Sequence, residues 1–579
     1  MSSPKSTKFW LSIYQVAPVI LLASVMLFAG LGSFPLTDRD EGEYASSTAY
    51  MIESGDFIVP HLNGRPYLEK PILFFWTLAA SFELLGQNEF AARFPSALAA
   101  FVLLGSMFWV AGSWSGDRRI SNVSVIVLLA SPLFLLVARA CLTDMMLTLF
   151  VWLSMTLFYF YLKSGRVEAL FFCWFFLSLA FLTKGPVALA MSIPVFLAYS
   201  ASRRDFSWLL PGNLIISIIV FLSVSLPWYV LIYKRMGSSF IETFFLTQNI
   251  ERFTSTLLGH GGGPIFYIIV LAMGCFPFSA ILPTLLAKGI PVVIHSFRTG
   301  RVKEKNSFFI FCLMASVWIF LFLTVSATKQ INYIVPAIPF LSVCIATSTL
   351  RHGNRFRLTR ASKFLVIFLS SIFFLVPAIF FLYPDFIWKM VLSLVRFDST
   401  EYAFTQTVPQ EIRWLALALP VLMIVIFWGF LKAKAKVSTI LLVSLLFSSF
   451  LVLGLLPRVA CVFQDPAKQL AQDVKNVLQH TLSPPSSRSV NLVSFGLWKP
   501  SMIFYTSRPI FRIKTKNPER LAKVLSKVDP CFVFSRLRLT GYLERMPGFI
   551  VIKGRGGYLL GGNKAGVLVL KGNLPQDGL

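Results

Sequence analysis

Apolar runs of about 17–25 residues recur along this chain as far as residue 456, each long enough to cross a bilayer core of roughly 30 Å. That pattern removes most folds from consideration. In lipid every backbone N–H and C=O must be satisfied within the protein, so such runs become helices packed on one another. The chain therefore reads as an α-helical polytopic membrane protein. Thirteen spans are expected, near 11–31, 91–112, 120–138, 143–162, 168–182, 186–201, 209–233, 264–287, 307–326, 331–349, 363–383, 412–431 and 437–456. A further apolar segment, 72–85, is short for a crossing and reads as re-entrant or interfacial. The first run is somewhat long for a signal-peptide core and is expected to be retained.

The net charge of +27 would suggest nucleic acid in a soluble chain. Here Lys and Arg accumulate instead where cytoplasmic loops collect them, so no nucleic-acid partner is expected. With the N-terminus cytoplasmic, every second connection is basic: Arg118-Arg119, Lys163 and Arg166, Arg203-Arg204, residues 298–305, residues 351–360, and Lys432 to Lys436. The opposite connections hold the unusual polar motifs, which places those motifs on one outer face. The seven cysteines (141, 173, 275, 312, 344, 461 and 531) mostly lie in apolar runs without metal-site spacing. They read as small core residues, and no disulfide framework is expected.

The pattern changes after Pro457. Residues 1–457 read as a transmembrane catalytic domain and 458–579 as a small extracytoplasmic α/β domain, placed outside by the odd number of spans. Within it, 467–480 and 517–528 read as helices, and 490–494, 501–505, 531–534, 549–552 and 567–570 as strands.

The longest polar insert, in the first outer loop at 34–72, carries four carboxylates within six residues: Asp38, Asp40, Glu41 and Glu43. Tyr44, Ala45, Thr48, Ala49 and Ile52 recur at helical spacing, predicting an amphipathic helix over 41–54 on the membrane surface, with Gly55 as its stop. Asp38 reads as its cap, which leaves Asp40 for chemistry. Glu69-Lys70-Pro71 closes the insert, where Lys70 either snorkels to the interface or meets a lipid phosphate as a compact charge.

Asp144 stands one turn into a span, with Arg139 as its expected local partner; a carboxylate at that depth is costly and marks a site by default. Lys184 precedes a Gly-Pro turn between two spans and either flanks that turn or serves the site. Arg252, in QNIERF, suits bidentate phosphate binding. Lys329 and Tyr333 are one turn apart and can share a helix face. Glu69 and His260 are a candidate pair for a divalent metal ion. The chain shows no dinucleotide, Walker, zincin or nucleophile-elbow motif in a convincing context.

In order, the blocks PLTDRDEGEYA, SGDFIVPHLNGRPYLEKPILFFW, EFAARFPSALAA, ARACLTDMMLTLF, LTKGP, QNIERF and KQINYIVPAIPF resemble the GT-C class of lipid-linked-sugar glycosyltransferases. The similarity lies in the branch containing protein O-mannosyltransferases and the lipid A aminoarabinose transferases, and it covers residues 35–340. The C-terminal domain resembles the outer domain of the aminoarabinose branch by placement and size.

The resemblance implies transfer of a sugar, with inversion, from a polyprenyl (undecaprenyl-type) phosphate donor to a lipid or protein acceptor. It also implies a GT-C fold and a bacterial inner-membrane location, with the active side and the C-terminal domain in the periplasm. By the same carry-over, Asp40 is the general base, Glu41 assists it, and Asp144 orients the acceptor or the base. Lys70 and Arg252 hold the phosphate, with Lys184, Lys329 and Tyr333 lining the pocket. Asn249 stands where the aminoarabinose branch would be expected to carry histidine. A transporter or flippase of a lipid-linked substrate is the alternative, since charges in spans and broken helices also mark transporters.

Overall fold

A computed structural model describes residues 17–255, 261–352, 358–385, 410–431, 437–480 and 490–571. Among these residues nine helices are long and apolar enough to cross a membrane, or ten if one bent pair counts as a single span. That pair, Arg118–Leu129 and Pro132–Ala138, bends by 73°. Pro132 cannot donate to the preceding turn, so the helix restarts there. The described part of the expected span at 11–31 is the helix Ala17–Phe28, residues 11–16 lying outside the described residues; that at 186–201 is the shorter apolar helix Val187–Arg203, and that at 412–431 is Gln410–Leu431. The expected span at 264–287 is broken: Phe266–Gly274 ends before Pro277, and the chain resumes through Phe278–Ile281 into Leu282–Thr299. Large apolar side chains such as Ile215, Ile219, Phe364 and Phe368 point outward from these helices, as a chain solvated by lipid requires.

The 34–72 loop folds inward. Its helix, Asp40–Ser54, ends at Gly55, whose φ of 71° is left-handed as the sequence predicts. Asp38 does not cap it, for the N-cap position falls on Arg39 and has no side-chain cap bond. Nor does the helix simply float on a membrane surface. Tyr44 packs edge-on against Phe74 and Phe75, with ring centroids 5.5 and 5.8 Å apart. On another side, a Cβ at Gly42 would fall 2.4 Å from the Ser501 backbone nitrogen. The helix is thus clasped between the segment Leu73–Leu85 and the C-terminal domain. Leu73–Leu85 has 13 residues and is about 20 Å long, too short to cross.

Glu41 and Arg93 fix this arrangement. Arg93, fully buried in the helix Glu89–Ser115, donates all five N–H groups: two to Glu41 and one each to the carbonyls of Leu31, Phe34 and Pro35. Both Glu41 contacts are 2.9 Å. The Glu41 carboxylate also accepts from Thr37 N and Oγ1 and from Cys141 N. Burial alone would raise its pKa, but the Arg93 guanidinium and these bonds hold it below the usual range.

The C-terminal domain has a five-stranded sheet in the order Phe511–Ile513, Asn491–Phe495, Cys531–Arg536, Tyr558–Gly562, Ile550–Arg555, the first three parallel and the rest antiparallel. Two expected strands are helices instead. Pro500–Thr506 begins on a proline, favourable at a helix start, and buries all seven side chains, so no strand alternation holds. Lys564–Lys571 begins where Asn563 Oδ1 accepts from Gly566 N at 2.9 Å, a side-chain cap that overrides the β-branched residues after it. The helix Leu456–His480 runs unbroken through the expected domain boundary at 457/458.

Candidate active site

Two cavities meet around shared side chains. The smaller, about 80 Å³, is lined by Asp40, Glu43, Glu69 and Asp144 and by Arg39, with Tyr44, Tyr67, Asn332 and Tyr333 among its other walls. The larger, about 480 Å³, has apolar walls that include Leu147, Val187, Met191, Phe244, Phe245 and Phe322. Glu69, Lys70, Lys184, Arg252 and Tyr333 line both. Three cations therefore stand at the junction of an acidic chamber and an apolar groove.

Each group arrives there for a local reason. Asp40 lies in the first turn of its helix and has no hydrogen-bond or ion-pair partner among the described residues. Asp144 also sits in a first turn, of Thr143–Ser164, but is fully engaged. Lys184 Nζ donates to its Oδ1 at 2.6 Å and Asn332 Nδ2 to its Oδ2 at 2.8 Å. Arg139, expected as its partner, instead donates to the carbonyls of Met26, Leu27 and Ala29 at the end of the first helix.

Lys184 ends the helix Val167–Lys184, and Gly185 turns the chain with φ 78°. A side chain there would meet the Phe244 ring 2.6 Å from its Cβ, so glycine lets the groove wall close against the turn. The Lys184 ammonium lies 4.1 Å from the Tyr333 ring centroid, and the Arg252 guanidinium lies 5.9 Å from it.

Arg252 follows Ile241–Glu251, a π-helical stretch of a kind often found at functional sites. It donates to Gln248 at 2.8 Å, while its Nε is buried without a partner among the described residues. Asn249 is spent on the backbone, donating to the Phe244 carbonyl at 2.6 Å. Among the described residues the Lys70 ammonium has one hydrogen bond, to the Glu69 carbonyl at 3.3 Å, and no carboxylate pair. Burial, and then Arg252, push its pKa down to about 8. Glu43 is shifted oppositely: burial, then Glu69 and Asp40, raise it to about 7, against a Tyr67 hydroxyl donating at 3.2 Å.

Of the residues singled out in the sequence, Asp40, Asp144, Glu69, Lys70, Lys184, Arg252 and Tyr333 converge here. Two do not. Glu41 faces away, its oxygens taken by Arg93, Thr37 and Cys141. Lys329 donates to the Thr324 carbonyl at 2.9 Å and to that of Ser326, capping the end of the helix Glu304–Val325. His260 lies outside the described residues. Among those described, no group of three or more His, Cys, Asp or Glu is placed to hold a metal ion.

Glu43, Tyr44, Tyr67, Thr143 and Asn332 also line the chamber, and sequence reasoning gave them no role. All five fall within the blocks that carry the family resemblance. Thr143 Oγ1 is buried without a partner among the described residues.

Helix pattern, C-terminal sheet domain and structural likeness together define the class, a multi-pass membrane protein of the GT-C fold. The resemblance seen in the sequence blocks is borne out. Residues 69–230 match the family profile of dolichyl-phosphate-mannose-protein mannosyltransferases.

Among individual relatives, the chain is 31% identical over 371 residues to an undecaprenyl phosphate-alpha-4-amino-4-deoxy-L-arabinose arabinosyl transferase of Pectobacterium carotovorum. That match covers 61% of this chain and 64% of the relative, so the likeness spans less than two thirds of the relative's length. An uncharacterized protein of Aquifex aeolicus is 29% identical, over 56% of this chain and 71% of its own. The fold matches that of ArnT from Cupriavidus metallidurans, solved with undecaprenyl phosphate, at a TM-score of 0.72 and 21% identity, covering 96% of this chain and 99% of that one.

Proposed function

We propose that this chain is an integral membrane glycosyltransferase, moving a sugar from a polyprenyl-phosphate donor to an extracytoplasmic acceptor. The observation that carries this reading is the junction: an apolar groove and an acidic chamber meeting at Lys70, Lys184 and Arg252. The groove suits the isoprenoid chain of such a donor, the cations its phosphate and the chamber its sugar. The relatives' names and the lipid of the solved ArnT structure point to the same donor class.

In the proposed reaction the acceptor hydroxyl attacks the anomeric carbon from the face opposite the phosphate. Asp40, with no partner of its own, takes the hydroxyl proton. The bond from the anomeric carbon to the phosphate oxygen breaks, and its electron pair leaves with the polyprenyl phosphate. The anomeric configuration inverts. Lys70 and Arg252 stabilise the negative charge growing on the leaving phosphate, in a site already shaped for it. Lys184 shares its charge with Asp144, so this pair orients more than it neutralises. A bacterial inner membrane is the setting that the relatives support, and the basic connections favour the chamber and C-terminal domain on its periplasmic side.

The test is a transfer assay with purified protein, a panel of polyprenyl-phosphate sugars both neutral and amino-substituted, and lipid and peptide acceptors. Product is followed by mass spectrometry. Transfer by wild type and none by Asp40→Asn supports the reading. Movement of labelled lipid across the bilayer without transfer would replace it with a transporter.

A further inference from the structure

The C-terminal domain reaches the loop that carries Asp40 through an ion pair. Lys499 Nζ lies 3.0 Å from Asp38 Oδ2, and the backbone N–H of Ser501 donates to Asp38 Oδ1, also at 3.0 Å. The ammonium is itself fixed from two other directions, by Gln464 Oε1 at 3.1 Å and by the Tyr558 ring, whose centroid is 4.8 Å away. The Lys499–Asp38 pair is largely shielded, with 10% and 12% of the two side chains exposed. Around it the seam is tight. Ser46 donates to the Pro500 carbonyl at 3.0 Å, and Gly42 rests against the Ser501 backbone.

Asp40 stands between two anchors. On one side Thr37 and Glu41 are bound to each other and, through Arg93, to the helix bundle. On the other, Asp38 is held from the C-terminal domain. The N-cap residue Arg39 supplies no cap bond, so the start of the helix is held chiefly by these flanking contacts. We propose that Lys499 is a positioning residue for Asp40: by fixing Asp38 two residues upstream, it sets where the Asp40 carboxylate stands in the chamber. The C-terminal domain is then a working part of the site. This inference rests on the reading of Asp40 as the base.

Its test compares Lys499→Met, Lys499→Gln and Lys499→Arg with Ser46→Ala, which loosens the same seam without touching Asp38. A misplacement of about 1 Å can cost on the order of 100-fold in rate. The expected result is a fall in kcat of roughly ten-fold or more for the Met and Gln variants. Donor KM should stay near wild type, activity should return in large part with Arg, and Ser46→Ala should have normal kcat. Hydrogen–deuterium exchange over residues 36–43 should rise in the Met and Gln variants, while 61–72 is unchanged. Normal kcat or unchanged exchange in a folded Lys499→Met protein overturns the proposal, as does an equal loss in Ser46→Ala. Should Met fail to fold, Gln carries the same comparison. If wild type transfers from no donor, it is the proposed function that fails, and the exchange measurement alone then decides whether Lys499 positions the segment.

Discussion

Asp40 and Glu41 are neighbours in sequence with opposite fates. Glu41 enters a dry knot where every donor of Arg93 and both of its own oxygens are occupied. Asp40 enters a chamber where its oxygens have no partner among the described residues and other carboxylates stand nearby. A buried charge that is completely satisfied holds structure, and removing one partner leaves the other stranded. A charge left unsatisfied in a shaped cavity is available to a substrate. The same contrast separates Lys70 and Arg252, at the junction, from Lys329, whose ammonium is spent on helix-end carbonyls.

The comparison is broken most sharply at Asp40. Asp40→Asn should lower kcat by roughly 100- to 10,000-fold, the usual worth of a positioned base, with thermal stability unchanged. Glu41→Gln should do the reverse. It strands Arg93 and costs about 3–5 kcal/mol of stability, read as a lower melting temperature and poor yield, while surviving protein keeps its donor KM. If Glu41→Gln instead kept full stability and lost only kcat, the division drawn between the neighbours would be wrong.

Arg252→Gln should weaken donor binding by about 10- to 150-fold, corresponding to one charged hydrogen bond of roughly 1.5–3 kcal/mol. Titration gives a finer test. Lys70 has a pKa lowered to about 8, so in the free protein it loses its proton as pH rises through that value. Donor affinity should accordingly decline above about pH 8, and Lys70→Arg should carry the alkaline limit upward. The smallest effect belongs to Lys329→Met, expected to cost about 1 kcal/mol of stability and to leave donor KM unchanged.

Much of this architecture is legible in the sequence because lipid imposes a coarse rule. Apolar runs of spanning length become helices, and the order of polar motifs between them survives folding. The convergence of Asp40, Lys70, Asp144, Lys184, Arg252 and Tyr333 follows from that order and the family resemblance. Direction within a turn was not legible. Nothing in DRDEGEY says that position 40 faces the chamber while 41 faces Arg93, because the partner lies 52 residues away. Arg139 departs from its expected pairing with Asp144 for a similar reason: the carbonyls it satisfies are over 100 residues upstream. In the C-terminal domain, 501–505 and 567–570 look like strands by composition, and a proline start and an asparagine cap decide otherwise.

The measurement that bears most directly on the central claim is the equilibrium binding of an unsubstituted polyprenyl phosphate to wild type, Asp40→Asn and Arg252→Gln. With groove and cations forming the lipid-phosphate site and Asp40 reserved for the acceptor, Asp40→Asn should bind like wild type. Arg252→Gln should bind at least about ten-fold more weakly. Equal affinity in all three proteins, or a loss confined to Asp40→Asn, would contradict the account.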